Sequence, residues 1–128
     1  MSGCRGEIEP GDEVPRVFVR CIGDRTPSLV QYVEHGIEEE GVSWAVQPGY
    51  DGAAAAVAHR AAMDSKLKIG VGVTADGRVV VHHKQLPDDD PLFDVAEPTP
   101  DDARKLGSNA ARLAKRMPLK PIGQGWTA

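Results

Sequence analysis

The chain reads as an α/β protein: a three-layer α/β/α sandwich on a small mixed, mostly parallel sheet. Three observations predict it. Apolar runs of strand length alternate with stretches whose apolar residues recur at helical spacing, a pattern that lays strands parallel with helices on both faces. A turn at Ala75-Asp76-Gly77 joins two of the apolar runs and predicts an antiparallel hairpin. Aromatics are only 5% of 128 residues, and alanine and valine dominate the apolar set, which favours helices lying close on a small sheet.

Residues 1–13 are rich in Gly, Glu and Asp, lack the apolar stretch of a signal peptide, and are expected to form a disordered acidic leader. A single domain is expected over 14–119, followed by a tail over 120–128. Residues 14–21 predict the first strand, with Val17 and Val19 on one face and Phe18 on the other. After a turn at 22–25, Thr26 is placed to cap a helix and Pro27 to open it. That helix runs to about Glu40 on a stripe of Leu29, Val30, Val33 and Ile37, and Gly41 is placed to close it in the left-handed conformation. Residues 42–47 predict the second strand, and 48–52 a loop. Residues 53–63 form a helix so rich in alanine that its backbone can approach a neighbour closely. The third strand, 67–73, carries Gly70 and Gly72, and 78–83 returns as the fourth. The proline- and aspartate-rich stretch 87–100 predicts a long loop, functional or mobile, with Leu92 and Phe93 pinning its middle. Thr99 then caps the last helix, and Asp101 and Asp102 suit its first turn. Ala103, Leu106, Ala110, Leu113 and Met117 mark its stripe, and Pro118 and Pro121 end it. The predicted order is βαβαββα.

Charge and cysteine usage narrow the function. With 19 acidic and 15 basic residues the net charge is −4, which argues against a nucleic-acid binder. Cys4 and Cys21 give no disulfide framework and suit reduced thiols in the cytoplasm. No apolar run approaches the ~18 residues of a membrane span.

Most motif-like stretches fail on their chemistry. Residues 70–75 have the glycine spacing of a dinucleotide loop, but a turn and a strand follow where a helix N-terminus would have to receive the phosphates. His82 and His83 are adjacent on a strand, so they point to opposite faces and do not readily share a metal. Asp88, Asp89 and Asp90 lie between prolines and suit a solvated loop better than a cation site. Ser28, Ser43, Ser65 and Ser108 lack a nucleophile-elbow context, so catalysis within this chain is not expected.

The end of the first helix is the exception. Glu38, Glu39 and Glu40 crowd a terminus that backbone carbonyls already make negative. Opposite the apolar stripe fall Tyr32, His35, Gly36 and Glu39, a face expected to meet solvent. Two readings stand on the residues alone: a solvated charged helix end, or a site for an external cation or basic partner. The last helix raises the same choice, because Gly107-Ser108-Asn109 interrupts a strong helical sequence and Asn109 and Arg112 flank its stripe. There the readings are a kinked surface helix or a contact face.

Four segments resemble one family, the small (β) subunit of the diol/glycerol dehydratase-reactivating factor. They are GIEEEGVSWAVQ at 36–47, SKLKIGVGVTADGRVVVHHKQLP at 65–87, PLF at 91–93 and LGSNAARLAKRMPL at 106–119, in matching order over roughly 14–119. Family members usually carry proline where this chain has Ser43. The resemblance implies an anticodon-binding-domain-like sandwich shared with the medium subunit of the dehydratase. It implies a non-catalytic role beside a large, chaperone-like ATPase subunit that holds ATP or ADP, in a heterotetramer-type assembly. By that likeness the ATPase subunit exchanges its small subunit for the medium subunit of an inactivated B12-dependent dehydratase, and damaged cobalamin leaves. It also implies that Glu39 reaches a Mg2+ ion at the subunit interface. The helix faces, not the resemblance, add Tyr32, His35, Gly36, Glu38, Glu40, Asn109 and Arg112 to the expected contact surface. The resemblance leaves open whether diol or glycerol dehydratase is served, and whether the assembly sits free in the cytoplasm or in a bacterial microcompartment. The alternatives are a dehydratase medium subunit, expected to carry a longer N-terminal region, and a flavodoxin-like small-molecule-binding domain. The latter needs a phosphate loop that 21–25 does not offer.

Overall fold

A computed structural model describes residues 14–123. The elements are β1 (Val17–Ile22), α1 (Val30–Glu39), β2 (Trp44–Tyr50), α2 (Ala54–Asp64), β3 (Ile69–Val73), β4 (Val79–His83), β5 (Phe93–Val95) and α3 (Pro100–Lys115). They form one sheet in the order β2-β1-β3-β4-β5. β1 pairs parallel with β2 and with β3, whereas β3–β4 and β4–β5 are antiparallel. Parallel and antiparallel pairings are therefore equal in number. The alternation within β1 sorts its side chains to two layers. Val17, Val19 and Cys21 are fully buried in a core that also holds Val30, Val33 and Ile37 of α1 and Ala103, Leu106 and Ala110 of α3. Arg20 points the other way and meets Asp64 of α2 at 2.9 Å. Thus α1 and α3 cover one face and α2 the other.

The alanine-rich helix and the glycine strand explain each other. A methyl group built on Gly72 would lie 2.6 Å from the carbonyl oxygen of Ala54, so α2 sits on bare β3 backbone. That contact is what Gly70 and Gly72 serve.

Several boundaries differ from expectation, each for a physical reason. The first helix starts at Val30, not Pro27: residues 27–29 form a tight turn in which Pro27 O accepts from Val30 N at 3.1 Å. Its N-cap is Leu29 with no side-chain bond, so Thr26 does not cap it. Gly41 does close it, with φ +74 and its N–H bonded to Glu38 O at 2.9 Å. β2 runs through 48–50, expected as loop, because it is an edge strand where proline costs no ladder bond. The register slips there, and Gly49 N donates to Gly23 O at 2.7 Å.

The long 87–100 loop contains a fifth strand, so the order is βαβαβββα. Its signal was only three residues long, with Phe93 and Val95 buried on either side of exposed Asp94. Leu92 N bonded to Val81 O at 3.0 Å supports the expected pin. In α3, Met117 drops off the stripe and is 40% exposed, because the chain turns left-handed at Arg116. Residues 118–123 then double back along α3: Lys120 N donates to Asn109 Oδ1 at 2.7 Å, Gly123 N to Asp102 Oδ1 at 3.1 Å, and Ile122 enters the core. The expected 1–13 leader, and the tail beyond Gly123, lie outside the described residues.

Thr99 does cap α3, its hydroxyl accepting from Asp102 N at 3.1 Å. Thr99→Ala is expected to cost about 1 kcal/mol, read as a lower urea midpoint at unchanged m-value.

Candidate functional site

The charge conflict at the end of α1 is resolved inside the chain by α3. Glu40 lies at the C-cap with a side chain only 9% exposed. Its carboxylate accepts from Ser108 Oγ at 2.6 Å, Arg112 Nε at 3.0 Å and Lys115 Nζ at 3.1 Å, with Lys120 Nζ at 3.9 Å. The Ser108 hydrogen bond, ahead of those from Arg112 and Lys115, holds its pKa down at about 2 against the opposing effect of burial. Lys115 also donates to the Glu40 backbone carbonyl at 2.7 Å, placing a cation on the negative end of α1. Glu40 therefore needs no external cation, which corrects the expectation for that residue.

Helix spacing had also set Gly36 on a solvent face, and the structure places it elsewhere. Gly36 is buried where α1 crosses α3, and a methyl group there would lie 2.6 Å from Ser108 N and inside the radius of the Arg104 carbonyl. Gly107 is its counterpart: a methyl group there would lie 2.8 Å from the carbonyl carbon of Val33. The glycine does admit a second backbone, but that backbone is the chain's own. Gly107, Ser108 and Asn109 are likewise no kink. They lie within the continuous helix α3, all buried. Asn109 is fully buried and holds both backbone groups of Lys120, donating to its carbonyl at 2.9 Å. Arg112 spans Glu40 and Pro118 O, the latter at 3.0 Å. Gly36, Glu40 and Arg112 thus build the α1–α3 junction, and Asn109 fastens the returning segment 118–123 to α3.

Tyr32, His35, Glu38 and Glu39 remain on the outer side. Tyr32 is half-buried against the core and meets the exposed His35 edge-on, ring centroids 6.4 Å apart. Glu38 is exposed, and Glu39, its side chain 32% exposed, pairs with Arg104 of α3, itself 54% exposed. Among the described residues no group of three or more His, Cys, Asp or Glu is placed to hold a metal. Glu39 can therefore offer a cation one carboxylate, displacing Arg104 to do so.

The histidines have structural partners. His82 is fully buried, its ring 4.7 Å from that of His59. His82 Nδ1 accepts from His83 N at 3.0 Å, which leaves Nε2 to donate to Asp88 O at 3.3 Å and tie down the aspartate loop. Burial pushes the His82 pKa down. Three buried charged groups, Arg16, Arg20 and Glu34, were not singled out in the sequence. Glu34 accepts from Trp44 Nε1 at 3.0 Å, and its place on the stripe, four residues after Val30, was the available signal. Arg20 takes Gln47 at 2.8 Å and lies 4.7 Å from the Tyr50 ring centroid. Its alternation with Val19 and Cys21 marked only the face, not the partners.

A five-stranded mixed sheet with α1 and α3 locked together beneath an acidic helix end is a family architecture. The chain belongs to the dehydratase medium subunit family, whose model matches residues 14–120. Within it, the relatives of named role are small subunits of dehydratase-reactivating factors. The chain is 34% identical to the propanediol dehydratase-reactivating factor small subunit of Salmonella typhimurium over 90% of this chain and 98% of that one. It is 38% identical to the diol dehydratase-reactivating factor small subunit of Klebsiella michiganensis over 84% of this chain and 86% of that one. The fold agrees with a solved diol dehydratase-reactivating factor complexed with ADP and Mg2+, at TM-score 0.78 and 34% identity, covering 85% of this chain and 100% of the other. A glycerol dehydratase reactivase chain matches at TM-score 0.77 and 34% identity, covering 84% and 97%. The described helices include none long and apolar enough to cross a membrane.

Proposed function

We propose that this chain is the exchangeable, non-catalytic small subunit of a dehydratase-reactivating factor. It pairs with a large ATPase subunit in a heterotetramer-type assembly in the cytoplasm. When it leaves, that subunit grips the medium subunit of an inactivated B12-dependent diol or glycerol dehydratase, and damaged cobalamin is released. The observation that carries this reading is agreement over nearly the whole length of a reactivating-factor small subunit, in sequence and in fold alike. Co-purification from the native cell tests it. A large ATPase partner is expected, and a large cobalamin-bearing catalytic partner would instead make this a dehydratase medium subunit.

Glu39 is the metal contact in this reading, with Tyr32, His35 and Glu38 around it on the partner-facing side. Magnesium commonly takes one or two carboxylates and completes its shell with water and phosphate oxygens. A single half-exposed carboxylate fits that demand across an interface, where the partner's nucleotide supplies the phosphates. Arg104 neutralises Glu39 in the free subunit and is released on docking. Glu39→Gln is expected to weaken magnesium-dependent pairing with the ATPase subunit by about tenfold or more while the circular dichroism and melting of the free chain stay nearly unchanged. Identical affinity across a magnesium titration would remove Glu39 from the metal site.

A further inference from the structure

Two described residues other than glycine hold a left-handed backbone, Lys68 at φ 68 and Arg116 at φ 60. A Cβ disfavours that conformation and glycine relieves it. Both residues line the same pocket, about 240 Å3 in volume, between the start of β3, the end of β4 and the end of α3. Lys66 and His83 join them, and no carboxylate lines the pocket. Among the described residues the Lys68 and Arg116 side chains have no ion-pair partner. His83 Nδ1 accepts from Gln85 N at 3.0 Å, so its proton sits on Nε2 as a donor.

The left-handed cap that closes α3 accounts for the Arg116 backbone, but it does not use the Arg116 side chain. The last carbonyls of α3 are answered by Arg116 N on Leu113 O at 3.2 Å and Met117 N on Arg112 O at 2.9 Å. Two exposed cations with no ion-pair partner among the described residues line one concavity that has no carboxylate in its wall, and the left-handed turn at Lys68 helps to bring them together. We propose that this pocket binds a phosphate group, with Lys68 and Arg116 as its charges and His83 as a hydrogen-bond donor. A tetrahedral dianion suits it better than a single carboxylate, because two cationic residues and a histidine donor line it and an arginine can grip two oxygens at once. The phosphate is either the free ion or the terminal group of a nucleotide. This site is independent of Glu39 and of the role proposed for it.

Calorimetric titration of the full chain tests the proposal, at low ionic strength because exposed charges are screened by salt. The probes are inorganic phosphate and ADP, against matched chloride. Saturable binding is expected, weakened about tenfold or more in Lys68→Gln and in Arg116→Gln but not in Arg60→Gln on exposed α2. Tighter binding of ADP identifies a nucleotide phosphate as the ligand, and equal binding identifies the free ion. Lys68→Gly and Arg116→Gly are expected to melt at higher temperature than the native chain yet bind phosphate as weakly as the glutamine variants. Binding of neither probe, or binding unchanged in these variants, overturns the proposal.

Discussion

Replacing Gly36 with alanine is expected to destabilise the chain by about 3 kcal/mol or more, at the upper end of overpacking costs. The added methyl group would meet the carbonyl of Arg104 and the amide of Ser108, both backbone. Backbone cannot rotate away as a flexible side chain can, so α1 and α3 must part. Parting them exposes Val33 and Ile37 on α1 and Leu106 and Ala110 on α3, all fully buried. It also pulls Glu39 from Arg104 and Glu40 from Ser108 and Arg112. The melting temperature should fall by roughly 10 °C. Gly107→Ala should act alike, because Gly107 meets Val33 from the other side. Gln31→Ala, on the exposed face of the same helix, should change stability by less than about 0.5 kcal/mol. Urea unfolding of the three variants beside the native chain checks the ranking. If Gly36→Ala behaved like Gln31→Ala, the helices would not be locked at that crossing.

That crossing marks where the sequence was legible and where it was not. Strands and helices could be placed because apolar period and turn chemistry are local. Val17 and Val19 fell on one face as expected, Thr99 capped α3, and Gly41 closed α1. Local signals also erred locally. Thr26 and Pro27 look like a helix start, but the turn at 27–29 delays it to Val30. Residues 93–95 are too short to show an alternation, so β5 emerged only from its pairing with β4. The acidic cluster stood out in the sequence, and the face on which Gly36 lies was misread. Three glutamates at one helix end stood out, but their partners lie 65 or more residues away in sequence, as in Glu39 with Arg104. A helical wheel assigns a face from one helix's own apolar stripe. It cannot show that Gly36, off that stripe, faces a second glycine-bearing helix. The meeting of Gly36 with Arg104 and Ser108, of Gly107 with Val33, and of Glu40 with Arg112 and Lys115, is tertiary information.

The division of labour among the glutamates follows from the same geometry. Glu40 is spent on holding α3 against α1, and Glu38 stands free in solvent. Glu39 sits between them, held by one exposed arginine. An exposed ion pair of this kind contributes little to stability, about 0 to 1 kcal/mol. It can therefore be exchanged for another cation at small cost, which Glu40 cannot. Glu40 therefore keeps the chain's own helices in place, while Glu39 is free to change its cation.

Glu40→Gln separates these roles. It is expected to cost about 2 kcal/mol at neutral pH. A carboxyl held at about 2 instead of the ordinary 4.5 corresponds to an upper bound of about 3.5 kcal/mol of folded-state preference. The figure is discounted because the side chains of Arg112, Lys115 and Lys120 are 23%, 35% and 33% exposed and regain water when the anion is lost. The sign follows from the direction. The folded pKa is depressed, so the stabilisation is fully present above the unfolded value of 4.5 and is lost as pH falls through about 2. The native chain should therefore be clearly more stable than Glu40→Gln at pH 7, with the gap closing between about pH 4.5 and 2. Below that range both carry a neutral group and should unfold alike. Ser108→Ala should remove part of the same gap, and the double variant should lose less than the sum, because Ser108 and Glu40 act on one bond. Urea midpoints across pH for the four proteins check this. A gap that stayed constant down to pH 2 would mean that Glu40 contributes by packing and not by charge. On the role proposed for Glu39, magnesium-dependent pairing with the large subunit should survive in Glu40→Gln at concentrations and temperatures where the variant is folded.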